Sequence, residues 1–205
     1  MPTPVKDEVQ AILSIHNRAG RLNRTMQEAW EAYKLNPDRG WFRRKSTRAA
    51  LVWEHTIRLA TQYFADDAGV KIVEHHDTVS FIFDDQVLIR FKKGSTEMMT
   101  SNVPTLLSEA YNDHEQDLFG HEGHQRVQAI YILNRLETSI MWAGIVAHNI
   151  NKRPMWELNL SGIAPQTEML PFVHHQPEQK PASALAKLKA SAQPVEKDKA
   201  ANDNE

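Results

Sequence analysis

The sequence predicts an α+β domain: two N-terminal helices packed on a five- to six-stranded antiparallel sheet, followed by a disordered C-terminal tail. Three observations predict it. As far as residue 66, apolar side chains recur at steps of three and four, the helical period. Between residues 70 and 160 they alternate one by one, the strand period. From Pro165 onward the chain is rich in Pro, Gln, Lys, Ala and Glu, a composition that buries too little apolar area to offset its ordering entropy. Residues 1–164 are therefore expected to form one domain, and 165–205 a tail in which 183–190 has some helical tendency.

The first helix rests on a stripe of Val5, Val9, Ile12, His16, Ala19, Met26, Trp30 and Tyr33, with Leu22 at its edge. Gly20 weakens its middle by roughly 1 kcal/mol relative to Ala, so a bend is expected there. Asn36-Pro37-Asp38 and Gly40 end it, because a residue before proline avoids helical backbone. The second helix covers about 46–66, capped by Ser46 or Thr47, with Ala50, Trp53, Ile57, Ala60 and Phe64 on its apolar side.

Strands follow. Val70 to Val73 is short; in Thr78 to Phe83, Val79, Phe81 and Phe83 share a face; after a turn at Asp84-Asp85-Gln86, Val87, Ile89 and Phe91 share one face while Leu88, Arg90 and Lys92 share the other. Residues 94–124 form a long connection with one short helix at 104–111, and loops of that length are uncommon unless functional or mobile. A three-stranded meander closes the pattern: Val127 to Leu133, Ile140 to Ala147, and a last strand carrying Trp156, Leu158 and Leu160.

Composition excludes several chemistries. Hydrophobic residues are 41% and charged residues 24%, the balance of a globular chain. With no cysteine there is no disulfide, thiolate zinc site, iron–sulfur cluster or cysteine nucleophile. No apolar run approaches the ~20 residues of a membrane span, and MPTPVKDEVQ lacks the basic-then-apolar layout of a signal peptide; a cytoplasmic location without membrane contact is expected. No Gly-rich phosphate loop, Gly-x-Ser-x-Gly elbow or dinucleotide fingerprint is present. The net charge of −2 hides an asymmetry: residues 1–60 carry 11 Lys+Arg against 6 Asp+Glu, and residues 61–125 carry 4 against 12. Either two faces of the domain differ in sign, or the two thirds pair internally.

Four groups of residues are candidates for function. Arg39, Trp41, Arg43, Arg44, Lys45 and Arg48 surround Phe42 at the start of the second helix; cations meet phosphates, rings stack on bases, and helix-terminal amides attract anions. The alternative is a solvated turn with Trp41 and Phe42 tucked into the core. Arg90 and Lys92, with Lys93 beside them and Asp84-Asp85 preceding, resemble carboxylates holding magnesium next to a charge-stabilising cation, and Glu54 would be a third acid. The residue two before Lys92 is Arg90, however, where that arrangement needs an acid, and Asp84-Asp85 also suits a plain hairpin turn. Asp113-His114-Glu115 and His121-Glu122-Gly123-His124 mix imidazoles and carboxylates in the manner of a divalent-ion site, without the His-Glu-x-x-His spacing; a polar, pH-sensitive loop is the simpler reading, and no metal or cofactor is expected. The stripe from Val5 to Tyr33 can pack in the chain's own core or against a second copy.

Val87-Leu-Ile-Arg-Phe-Lys-Lys93, then Ile130-Tyr-Ile-Leu-Asn134, Thr138-x-Ile140 and Trp156-Glu-Leu-Asn-Leu160 resemble an uncharacterised bacterial protein family encoded near helix-turn-helix regulators or repressor-cleaving zinc peptidases of mobile elements. The resemblance covers residues 70–160, implies a regulatory or defence-linked setting, and carries no catalytic residue across.

The expected function is that of a non-enzymatic regulatory or interaction protein, associated with nucleic acid or with a regulator or toxin–antitoxin-like partner. The alternative is a nuclease acting on RNA or DNA, with Arg90 and Lys92 facing phosphate and His114, His121 or His124 as acid or base. A third option is a homo-oligomer assembled through the first helix.

Overall fold

A computed structural model describes residues 3–75, 77–100, 106–115 and 123–163. Three long helical segments come first: α1 (Lys6–Ser14), α2 (Arg18–Lys34) and α3 (Lys45–Phe64). Six strands follow, β1 (Val70–His75), β2 (Thr78–Phe83), β3 (Val87–Lys93), β4 (Gln125–Leu133), β5 (Ile140–His148) and β6 (Pro154–Asn159), with α4 (Leu106–Asn112) between β3 and β4. The expected tail from residue 165 lies outside the described residues.

The strands form one sheet in chain order, β1 to β6. Every neighbouring pair is antiparallel except β3 and β4, which run parallel with Ile89 opposite Val127 and Lys93 opposite Tyr131. This parallel pair accounts for the long connection. Parallel neighbours need a crossover, and 94–124 supplies it where a hairpin would not reach. The sheet is thus mostly, not wholly, antiparallel.

Alternation assigns the faces. Phe81, Phe83, Val87, Ile89, Phe91, Val127, Ala129, Tyr131, Ala143, Ile145 and Ala147 point to the helices and build the main core with Val9, Leu13, Leu22, Met26, Trp30, Val52 and Phe64. The apolar stripe of the first helical segment packs largely inside this core, with Val5 and His16 left exposed. On the opposite face, α4 lays Tyr111 over Ile82 and Leu88. The Tyr111 hydroxyl lies 2.6 Å from the Val127 carbonyl and 3.1 Å from that of Leu88, between the parallel strands.

Two expectations about the helices change. The first helix is not continuous: it breaks at Ile15–Asn17, where His16 and Asn17 take positive φ of 51° and 54°. Gly20, the expected bend, is helical; a Cβ there would stand 2.4 Å from the Asn17 side chain, so its role is to let the break fold back. The break turns His16 out to solvent and Arg18 inward. The second helix starts at Arg44 as N-cap, without any side-chain cap from Ser46 or Thr47.

Arg18 answers the charge asymmetry. Its side chain is 2% exposed and donates in pairs to Asp67 (2.9 Å twice) and Asp84 (2.6 and 2.9 Å). Arg21 adds a contact to Asp67 at 3.0 Å. Part of the basic first third and part of the acidic middle third therefore pair internally, joining the helix break to the α3–β1 turn and the β2–β3 turn. The Arg18 guanidinium holds the Asp67 carboxyl at about 2, against burial that would raise it. No helix among the described residues is long and apolar enough to cross a membrane.

Candidate functional site

The stretch between α2 and α3 is built to project. Pro37 opens a short 3₁₀ turn whose Asn36 side chain accepts from the Asp38 amide at 2.8 Å, the local bonding that makes Asn-Pro-Asp a helix stop. Phe42 packs half-buried against the main core and anchors the turn. Trp41 beside it is 82% exposed, so the expectation that it tucks into the core with Phe42 holds for Phe42 only. Arg39 reaches back to the Lys34 carbonyl at 2.6 Å. Arg43 and Arg44 are exposed and form no ion pair among the described residues. The chain then enters the uncapped N-terminus of α3, where first-turn amides add partial positive charge.

Beyond this turn a cleft of about 850 Å³ opens between the first turns of α3 and the carboxyl ends of β3 and β4. Lys45 and Ser46 contribute from α3, Lys92 and Lys93 from β3, Tyr131 and Leu133 from β4, and Arg135 and Glu137 from the β4–β5 turn. Four cations thus line it against one carboxylate among the described lining residues. Glu137, held at φ 52°, is shared by Arg48, Lys93 (3.3 Å) and Lys45 (3.6 Å). Burial would raise its carboxyl, but Lys93 and Arg48 hold it below the ordinary carboxylate range. Tyr131 is 5% exposed, and its hydroxyl has no hydrogen-bond partner among the described residues. Burial raises that phenol well above its ordinary value, so it stays protonated and available as a donor.

The candidates for catalysis do not assemble. Asp84 is held by Arg18 and Asp85 by Lys71 (2.8 Å), both at the start of β3. Lys92 lies five residues along β3 from Val87, on the order of 17 Å beyond the turn that holds both acids; the acids and the lysine are at opposite ends. Glu54 is exposed on α3, and α3 covers the other face of the sheet. His114 donates from Nε2 to the His148 carbonyl at 2.8 Å, and His148 in turn to the Met98 carbonyl at 2.8 Å. Burial holds both imidazoles below their ordinary value, which suits a structural role in fastening the crossover. His124 stands near Asp85 at the far end of the sheet, and His121 lies outside the described residues. Neither His114 nor His124 has a contact with Arg90 or Lys92 among the described residues, so the convergence of loop histidines that a nuclease requires is not formed by these two.

The basic stretch was legible because it is contiguous. Tyr131, Arg135 and Glu137 were not: only the parallel register of β3 on β4 brings Tyr131 beside Lys93, and no local signal announces a parallel pair. No protein-family model, curated protein or solved structure matches this chain.

Proposed function

We propose that this protein is a non-enzymatic, nucleic-acid-associated regulatory protein, and that it holds a single strand along the Arg39–Arg48 stretch and the mouth of the adjoining cleft. The observation that carries this reading is Trp41. A tryptophan 82% exposed, with Arg43 and Arg44 following it exposed and without an ion pair among the described residues, matches the stacking platform of single-strand binders. The cations of the cleft continue the same positive surface, and the uncapped α3 terminus favours phosphate there. Single strands are preferred over duplex because the exposed ring stacks on unpaired bases.

A role as an accessory of a regulator or toxin–antitoxin-like partner belongs to the same proposal, with the protein partner seated elsewhere on the domain or on the tail. The test is fluorescence anisotropy of labelled single-stranded RNA, single-stranded DNA and duplex DNA, titrated at about 50 and 200 mM salt. Binding to the single strands that weakens steeply with salt and disappears in Arg43→Glu/Arg44→Glu is expected. Flat titrations on all three probes would remove nucleic acid from the account.

A further inference from the structure

The sheet face turned away from the three long helices has an unusual charge pattern. Its residues along β1 to β5 include Lys71, Arg90, Lys92 and Arg126 and no carboxylate. Two of the four cations are accounted for. Lys71 pairs with Asp85 from the β2–β3 turn, and Arg126 donates to the Ala110 and Asp113 carbonyls at the end of α4, where a cation suits the helix dipole.

Arg90 and Lys92 are different. Arg90 is 9% exposed; its Nε donates to Ser80 Oγ at 2.9 Å and its guanidinium lies 4.3 Å from the Tyr111 ring centre. Its two terminal nitrogens have no hydrogen-bond partner among the described residues. Lys92, on the same face two residues later, is half-buried with neither hydrogen bond nor ion pair among the described residues. Burying a cation without an anion is unfavourable, and two together repel. Burial and the neighbouring charge hold both below their ordinary values. A fold needing only stability would carry apolar residues at these places, as Leu88 and Ile130 do beside them.

We propose that Arg90 and Lys92 form a binding site for a phosphate-type oxyanion. Ser80 and Tyr111 fix the guanidinium plane by its Nε and its face, leaving the terminal nitrogens as a preset fork for two oxygens. Lys92, which also lines the cleft, supplies a movable point charge to a third. The anion is a free phosphate, a phosphomonoester, or a phosphate of a strand running through the cleft.

The test uses the full chain and inorganic phosphate. Thermal unfolding is compared in chloride and in phosphate at equal ionic strength for wild type, Lys92→Met, Lys92→Arg and Arg43→Gln/Arg44→Gln. Phosphate also stabilises proteins generally by exclusion from their surface, so the readout is the difference between chains. At ten times the dissociation constant, wild type should gain roughly 3 °C beyond the general effect. Lys92→Arg and the double variant should keep that gain, which separates this site from the Trp41 surface. Lys92→Met should lose it while melting in chloride no lower than wild type, since an unpaired charge has been removed. Displacement of phosphate by a single-stranded oligonucleotide would assign the site to the polymer; oligonucleotide binding without displacement would assign it to a separate small phosphate compound. Equal phosphate gains in wild type and Lys92→Met, or a lower chloride melting point in Lys92→Met, would overturn the proposal. So would phosphorus NMR lines of phosphate left unbroadened by wild-type protein, whether or not the variants fold.

Discussion

Asp67→Asn isolates the charge clamp on which the helix break depends. The Asp67 side chain is 2% exposed and receives two hydrogen bonds from Arg18, one from Arg21 and one from the Gly69 amide. Its carboxyl titrates at about 2 rather than 3.8, a difference worth about 2.5 kcal/mol of stability at neutral pH. Removing one partner of a buried pair adds the penalty of an under-compensated charge, softened here because Asp84 still grips Arg18. The expected loss is about 2.5–4 kcal/mol, or roughly 5–15 °C in melting temperature for a domain of this size. The sign in pH follows from the depressed carboxyl: its contribution is complete above 3.8 and is lost as the pH falls from there towards about 2. Urea unfolding of both chains at several pH values is the assay, and the gap between them should close across that interval. A loss under about 1 kcal/mol at neutral pH, or a gap that does not change with acid, would refute the reasoning.

Three other outcomes are expected. His114 and His148 are held neutral by burial, each with its Nδ1 buried and unpartnered; stability should be complete above the ordinary histidine value of 6.5 and fall as the pH drops below it, and His148→Gln should flatten that limb in urea titrations. Gly144→Ala would place a Cβ 2.3 Å from the Trp142 ring and 2.5 Å from the Leu158 carbonyl, so equilibrium unfolding should show a loss of about 1–3 kcal/mol. Trp41→Ala should leave stability within about 0.5 kcal/mol while lowering single-strand affinity about 5- to 100-fold in anisotropy titrations, the range of one stacked base.

Local pattern carried most of the fold. The period-two segments from Thr78 to Lys93 and from Val127 to Leu160 declared their strands and inner faces, because the face on the long helices is continuously apolar while polar and charged residues interrupt the other. What local pattern could not carry was pairing between distant segments. A parallel β3–β4 ladder leaves no mark in either strand, so the length of the connection 94–124 is legible but its role as a crossover, and the cleft at the strand ends, are not. Arg18 was hidden for a related reason: it becomes buried only because the helix breaks at His16 and Asn17, and both its acids lie some 50 to 66 residues away. Of the candidate site, the contiguous turn with Trp41 was legible and the members gathered by topology were not.

The central claim is that the turn before α3 holds the phosphate backbone of a single strand, and the salt dependence of binding measures it most directly. The logarithm of the association constant for a single-stranded RNA should fall linearly with the logarithm of salt, with a slope of about −0.7 for each phosphate neutralised. In Arg43→Gln/Arg44→Gln the slope should become shallower by roughly 1.4, the share of two cations, with affinity reduced across all sequences. Binding whose slope is the same in both proteins, or no binding even at low salt, would contradict the account.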